Sequence, residues 1–244
     1  MMAAREMLAA MRRLPFADVR DILGGARALI LAPHPDDESL GCGGLIAAAC
    51  AAGMPPVIVF LTDGAASHPG SRTHPPARLS ALREAEARRA LALLGLPREE
   101  PVYTLRFPDT QLPSGGAGFF QAVETLHGIA LAEGCGIILG PWTHDPHCDH
   151  EAGARMAAAL AQMLGLSLLS YPVWGWLRDG LDELPGDVHG YRLEISRFLA
   201  AKQSAIAAHA SQYSGLITDS PAGFRLPADL LAVAARPFEV FLSA

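Results

Sequence analysis

Five short runs in this chain are almost wholly apolar: residues 28–32, 57–62, 102–105, 136–140 and 168–171. A strand with one wet face alternates apolar and polar residues. Strands without that alternation are covered on both faces, as in a parallel sheet flanked by helices. Between the runs lie segments of helical length, 38–52, 78–94, 119–133 and 151–164, each rich in Ala or Leu. This strand–helix repetition predicts an α/β fold: a single-domain, Rossmann-like, mostly parallel sheet with helices on both faces. At 244 residues one domain is expected over 1–244, with its core at about 25–215 and an N-terminal helix, 1–23, packed outside it. After Tyr171 the pattern changes. Val173-Trp174-Gly175-Trp176 and 190–195 read as further strands, the first with both tryptophans on one side, and 196–210 reads as a helix. Gly115-Gly116-Ala117-Gly118 is too short to divide domains and reads as a loop near a cleft.

Half the residues are hydrophobic and 18% are charged, the composition of a globular chain. A net charge of −6 argues against nucleic acid or an anionic membrane as partner. Arg83, Arg88 and Arg89, interspersed with Glu84 and Glu86, read as a solvated helix face. The four cysteines form no CxxC pair, which points to a reduced, cytoplasmic setting and excludes a zinc ribbon. The first 23 residues lack the continuous apolar core of a signal peptide, and no run is long enough to span a membrane. The sequence leaves room for a homo-oligomer.

Two polar clusters stand out against this apolar background. The first, His34-Pro35-Asp36-Asp37-Glu38, directly follows the run at 28–32; the second, His144-Asp145-Pro146-His147-Cys148-Asp149-His150, follows the run at 136–140. Charged side chains are rarely buried unless paired or bound to metal. Ligands of open α/β sheets bind at the carboxyl ends of strands, so this topology can bring the clusters to one edge. Capping of the following helix would explain the acidic pair but neither His34 nor the second cluster. A His, a carboxylate and another His make a three-ligand zinc set with an open position for water. His144 and Asp145 read as groups that orient a ligand or, for His144, as a surface turn.

His34-Pro35-Asp36-Asp37-Glu38 and His147-Cys148-Asp149-His150, in this order and strand–turn–helix context, resemble the motifs of the PIG-L/LmbE family of zinc-dependent N-deacetylases. The likeness extends from about residue 28 to about residue 213. It implies that His34, Asp37 and His150 bind Zn2+, with Fe2+ able to use the same ligands. It further implies that Asp36 is the general base, that His147 stabilises the oxyanion or protonates the leaving amine, and that Asp149 orients His147. The implied substrate is a small N-acetylated sugar or glycoconjugate containing N-acetylglucosamine. Cys148 stands where relatives often carry Pro, and Ala65 where many carry an acid.

The loops Leu61-Thr62-Asp63-Gly64 and Phe107-Pro108-Asp109 resemble family loops bordering the substrate, which makes Asp63 and Asp109 candidate contacts. Arg78 and His209 are further candidates. Each has an ordinary alternative: a turn residue for Asp109, a helix-surface ion pair for Arg78, a helix-terminal cap for His209. Trp174 and Trp176 could form a platform for sugar rings or pack in the core. Gly41-Cys42-Gly43-Gly44 lacks the spacing of a dinucleotide fingerprint and reads as close helix packing. Two other functions stay open: hydrolysis of another bond such as a phosphoester, and non-catalytic sugar binding on the same scaffold.

Overall fold

The computed structural model describes residues 2–178, 180–184 and 186–243. In chain order its elements are β1 (Met2–Ala3), α1 (Ala4–Met11), α2 (Val19–Leu23), β2 (Ala28–Ala32), α3 (Asp37–Ala51), β3 (Val57–Thr62), α4 (Pro76–Leu93) and β4 (Val102–Phe107). There follow α5 (Gly116–Ala132), β5 (Ile137–Pro141), α6 (Cys148–Leu164), β6 (Ser167–Tyr171), a 3-10 turn (Trp174–Leu177), β7 (Glu183–Leu184), β8 (Gly190–Glu194), α7 (Leu199–Ala208), α8 (Ala210–Tyr213), α9 (Ala228–Ala234) and β9 (Phe238–Ser243).

Seven strands form the main sheet in the order β4-β3-β2-β5-β6-β9-β8. The five from β4 to β6 are mutually parallel, and β9 runs antiparallel to both β6 and β8. The central strands are buried on both faces, as their unbroken apolar sequence requires. Ala28, Ile30 and Ala32 enter one core, beside residues of α3, α4 and α7. Leu29 and Leu31 enter the other, beside residues of α5 and α6. From β2 the chain winds outward through β3 to β4, then returns to place β5 on the other side of β2. The β2/β5 boundary is therefore the topological switch point, where a crevice opens beyond the strands' carboxyl ends. Both polar clusters begin there.

Three expectations need correction. The N-terminal segment is not one outlying helix. It breaks after Met11 and resumes at Val19, with Phe16 bridging to Arg192. Its apolar face is buried: Ala4 and Met11 are fully enclosed beside Trp142, Leu184 and Leu242, and Ile22 and Leu23 join the main core. The core also reaches past residue 215, because β9 fills the gap between β6 and β8 and buries Phe241 completely. Finally, Trp174 and Trp176 lie in the 3-10 turn instead of alternating along a strand. The small residues of α3 do serve close packing: a Cβ on Gly41 would overlap the Tyr171 ring, and one on Gly44 would overlap Ile195. Among the described residues no helix is long and apolar enough to cross a membrane.

Candidate metal centre and active-site cleft

The turn from β2 into α3 carries the first cluster in a constrained backbone. Asp36 sits at φ 149°, ψ −25°, a region L-residues rarely adopt and that costs about 1–3 kcal/mol. Several groups hold it there. The Asp36 N–H donates to Glu38 Oε2 at 2.9 Å. Arg83 Nη2 donates to the Pro35 carbonyl at 2.8 Å and lies 3.2 Å from Asp36 Oδ2. Glu38 is fully buried; its Oε1 accepts from the Ser39 hydroxyl at 2.6 Å and lies 3.0 Å from His209 Nε2. Burial lifts the Asp36 carboxyl to about 6, against the pull of the Arg83 charge.

The turn from β5 into α6 supplies the second cluster. Asp145 is fully enclosed and is the hub of this turn. Its carboxylate accepts from the backbone N–H groups of Val173, Trp174 and Gly175 at 2.9, 3.1 and 2.7 Å and meets His150 Nδ1 at 2.9 Å. A carboxylate behind an imidazole fixes the tautomer and leaves the far nitrogen free to ligate. His150 Nε2 is indeed buried without a well-formed hydrogen bond, its polar neighbour being Asp37 Oδ2 at 3.2 Å. His147 is the N-cap of α6, its Nδ1 accepting from the Asp149 N–H at 3.2 Å. That bond assigns the proton of neutral His147 to Nε2. Burial and the neighbouring imidazoles His34 and His150 lower its pKa, which favours the neutral form.

The predicted metal trio converges. Asp37 Oδ2 lies 3.2 Å from His34 Nδ1 and 3.2 Å from His150 Nε2. Ligating atoms of His34, His147 and His150 also lie within 4.8 Å of one another, as do those of His34, Asp109 and Asp149. The two groupings differ in saturation. Asp149 already accepts from the N–H groups of Thr110 and Leu112 at 2.7 and 3.0 Å, and Asp109 from Ala66 at 3.0 Å. From the backbone Asp37 Oδ2 accepts only the His34 N–H, at 2.9 Å, and His150 Nε2, which makes no well-formed hydrogen bond, lies beside it, so the residues around Asp37 are the better match to a divalent cation. Burial opposes charge on His34, yet Asp109, Asp149 and Asp37 outweigh it and raise its pKa well above the usual value. So much carboxylate around one imidazole complements a cation.

The cleft beyond these residues has a volume of about 370 Å3, within the roughly 300–1,000 Å3 typical of small-molecule sites. His34, Asp36, Asp37, Asp109 and His147 line it. Asp109 lies 3.2 Å from His34 Nε2; burial raises its pKa, but His34 and Arg83 prevail and bring it to about 2. The other predicted contacts lie elsewhere. Asp63 supports the rim from behind, its Oδ1 accepting from Ala65 and Asp109 N–H groups at 3.0 and 3.2 Å. His209 is buried behind Asp36, against Glu38, and does not line the cleft. Arg78 is exposed and bonds the Thr73 carbonyl at 2.8 Å. The arginine at the cleft is Arg83, 3% exposed, which corrects its assignment to a solvated face. Its signal was periodicity: Leu79, Arg83, Ala87 and Ala90 form one buried stripe of α4. The Asp149 carboxylate does not orient His147; it faces His34 Nε2 at 3.0 Å, and only its backbone N–H meets His147.

Of the far wall, sequence reasoning singled out Trp174 as a candidate sugar platform and passed over the rest. Trp174, Gln212, Ala222, Phe224 and Leu226 complete the cleft. Asp219 ties that wall to the opposite loop, its carboxylate accepting from Ser71 Oγ, the Arg72 and Thr73 N–H groups and Thr73 Oγ1 at 2.7–2.9 Å. Asp219, Ala222, Phe224 and Leu226 come from an irregular stretch with no periodic pattern, so no local signal marked them.

The family described as PIG-L, GlcNAc-PI de-N-acetylase, matches residues 29–161. A diacetylchitobiose deacetylase of Thermococcus kodakarensis is 27% identical over 82% of this chain and 72% of its own length. A Bacillus anthracis protein named "Probable N-acetyl-alpha-D-glucosaminyl L-malate deacetylase 2" is 29% identical over 78% of this chain and 83% of its own. Among solved structures, a conserved protein of Thermus thermophilus superposes with a TM-score of 0.64 at 26% identity, covering 89% of this chain and 94% of that one. With more than half of its residues inside the match and both motifs within it, the chain belongs to the PIG-L family.

Proposed function

We propose that this chain is a metal-dependent amidohydrolase that removes the N-acetyl group from an N-acetylglucosamine-containing sugar or glycoconjugate. The observation that carries this reading is the buried, Asp145-backed Nε2 of His150, which faces the Asp37 carboxylate without a well-formed hydrogen bond, beside His34 and the strained Asp36. The deacetylase names of the relatives support it.

His34, Asp37 and His150 would hold the ion, Zn2+ or Fe2+, which when bound polarises the amide carbonyl and acidifies water. The chain's own groups do the rest. Asp36, with its pKa raised towards neutrality by burial, takes a proton from the attacking water as the C–O bond forms. The Nε2–H of neutral His147 donates to the oxygen on which negative charge develops. The Asp36 proton then passes to the departing nitrogen as the C–N bond breaks, which gives acetate and a free amino sugar. Arg83 and Glu38 hold Asp36 in place throughout.

Phosphoester hydrolysis fits less well. It favours two metals, and the other groupings, His34 with Asp109 and Asp149 and His147 with Cys148 and Asp149, both draw on Asp149, whose carboxylate already accepts from Thr110 and Leu112. A binding-only role would need neither the strained pose of Asp36 nor the tautomer set at His147. The test is acetate release from a panel of N-acetylglucosaminyl compounds, with metal-loaded and chelated protein. We expect release that needs metal, one ion per chain, and an Asp36→Ala variant that keeps its ion but loses most turnover. An active Asp36→Ala protein would remove Asp36 as the base.

A further inference from the structure

We infer that the cleft selects a neutral N-acylated amino sugar whose aglycone is apolar and ring-sized, seated on Trp174 and Phe224; this rests on the deacetylase reading above. Two independent observations lead there. The first is the far wall. The Trp174 and Phe224 rings meet edge to face with centroids 5.8 Å apart, and Leu40, Ala222 and Leu226 extend the same apolar surface. This wall is fixed relative to the chemistry. The Trp174 N–H donates to Asp145 Oδ2, the oxygen that also meets His150. The Phe224 N–H donates to the carbonyl of Ser67, another lining residue, at 2.7 Å. A preformed aromatic corner binds an apolar ring at little ordering cost.

The second observation is charge. Among the described lining residues the lone guanidinium or ammonium group is Arg83; both its terminal nitrogens are already engaged, and its Nε is buried. Nη1 donates to the Gly64 carbonyl and Nη2 to the Pro35 carbonyl, both at 2.8 Å, and Asp36 lies 3.2 Å away. Asp36, Asp37 and Asp109 line the same space. The proposed ion would offset Asp37 at the reacting end, but beside Trp174 and Phe224 the described lining offers an aglycone carboxylate or phosphate no cationic side chain to pair it, and an unpaired charge is an effective means of rejection. The chain therefore departs in specificity from the B. anthracis relative, whose name carries malate.

The experiment compares three glycosides of N-acetylglucosamine, with methyl, benzyl and malyl aglycones, in both turnover and calorimetric binding to metal-loaded protein. We expect kcat/KM for the benzyl glycoside to exceed that for the methyl by about tenfold, the worth of one well-seated ring, with the malyl glycoside poorest. Trp174→Ala and Phe224→Ala should each bring the benzyl-to-methyl ratio close to one, a change that general loss of fold would not produce. A malyl glycoside that matches the benzyl compound overturns the inference, as does a benzyl preference that survives both variants. Binding in the expected order without acetate release would support the aglycone inference while rejecting deacetylation of these sugars. Absence of binding by the benzyl glycoside would overturn the inference itself.

Discussion

Asp36 holds its pose because Glu38, two residues on, accepts its N–H with one oxygen while His209 engages the other. Glu38→Gln replaces one of these acceptors by a donor that faces a donor. Displacement of a catalytic group by about 1 Å can cost about a hundredfold in rate, so kcat should fall by about that factor with metal content unchanged; a variant at full kcat would show that Arg83 alone suffices to hold Asp36. Asp145 acts on the other cluster. Asp145→Asn weakens the anchor behind His150 and should reduce metal affinity about 10–100-fold, read by competition with a chromophoric chelator. Unchanged affinity would place the ion elsewhere. The residues proposed to hold the metal and act as base were legible because acids and imidazoles that follow fully apolar strands have few structural uses. The supports were not. Glu38 occupies a helix-start position where acids are common, and Arg83 read as part of a surface charge run, because burial of a polar side chain depends on which distant element covers it.

Strands with two buried faces and amphipathic or apolar helices were legible as elements, since their composition is fixed by what surrounds them. Val173-Trp174-Gly175-Trp176 misled for a physical reason: alternation of large and small residues suits a strand, but the N–H groups of residues 173–175 are drawn to one carboxylate, Asp145, which curls the chain into a 3-10 turn. The cleft wall at 219–226 escaped for a similar reason. Its conformation is set by hydrogen bonds to the 67–73 loop and not by its own pattern. Asp219 supplies four of these bonds, and they hold its carboxyl well below the ordinary range. Asp219→Ala should let the two loops part. The expected result is a severalfold rise in KM with kcat and metal content nearly unchanged, measured by steady-state kinetics on the best substrate of the panel. A fall in kcat at constant KM would instead make the clasp part of the chemistry.

At the scale of the whole molecule, the site depends on a strand that the repeat pattern did not announce. The alternating β/α rhythm locates the switch point between β2 and β5, but it stops before β9, which enters the sheet antiparallel between β6 and β8. β9 carries Glu239, 4% exposed, and this side chain links three distant parts of the chain. Its oxygens accept from the Gly44 and Leu45 N–H groups of α3 at 2.7 and 2.8 Å, and Lys202 of α7 donates to it at 2.7 Å. Through α3, the C-terminal strand thus braces the helix that begins at Asp37. A buried ion pair adds little over an apolar replacement, but loss of one partner strands the other charge and costs about 3–5 kcal/mol. Glu239→Gln should therefore lower unfolding stability by about that much in urea titration. Lys202→Met combined with Glu239→Gln should recover a large part of the loss, because no uncompensated ammonium then stays buried. If the double variant were as unstable as Glu239→Gln, the cost would lie in the two N–H groups of α3 and not in the stranded charge; if Glu239→Gln itself unfolded within about 1 kcal/mol of the parent, β9 would not be the brace this geometry describes.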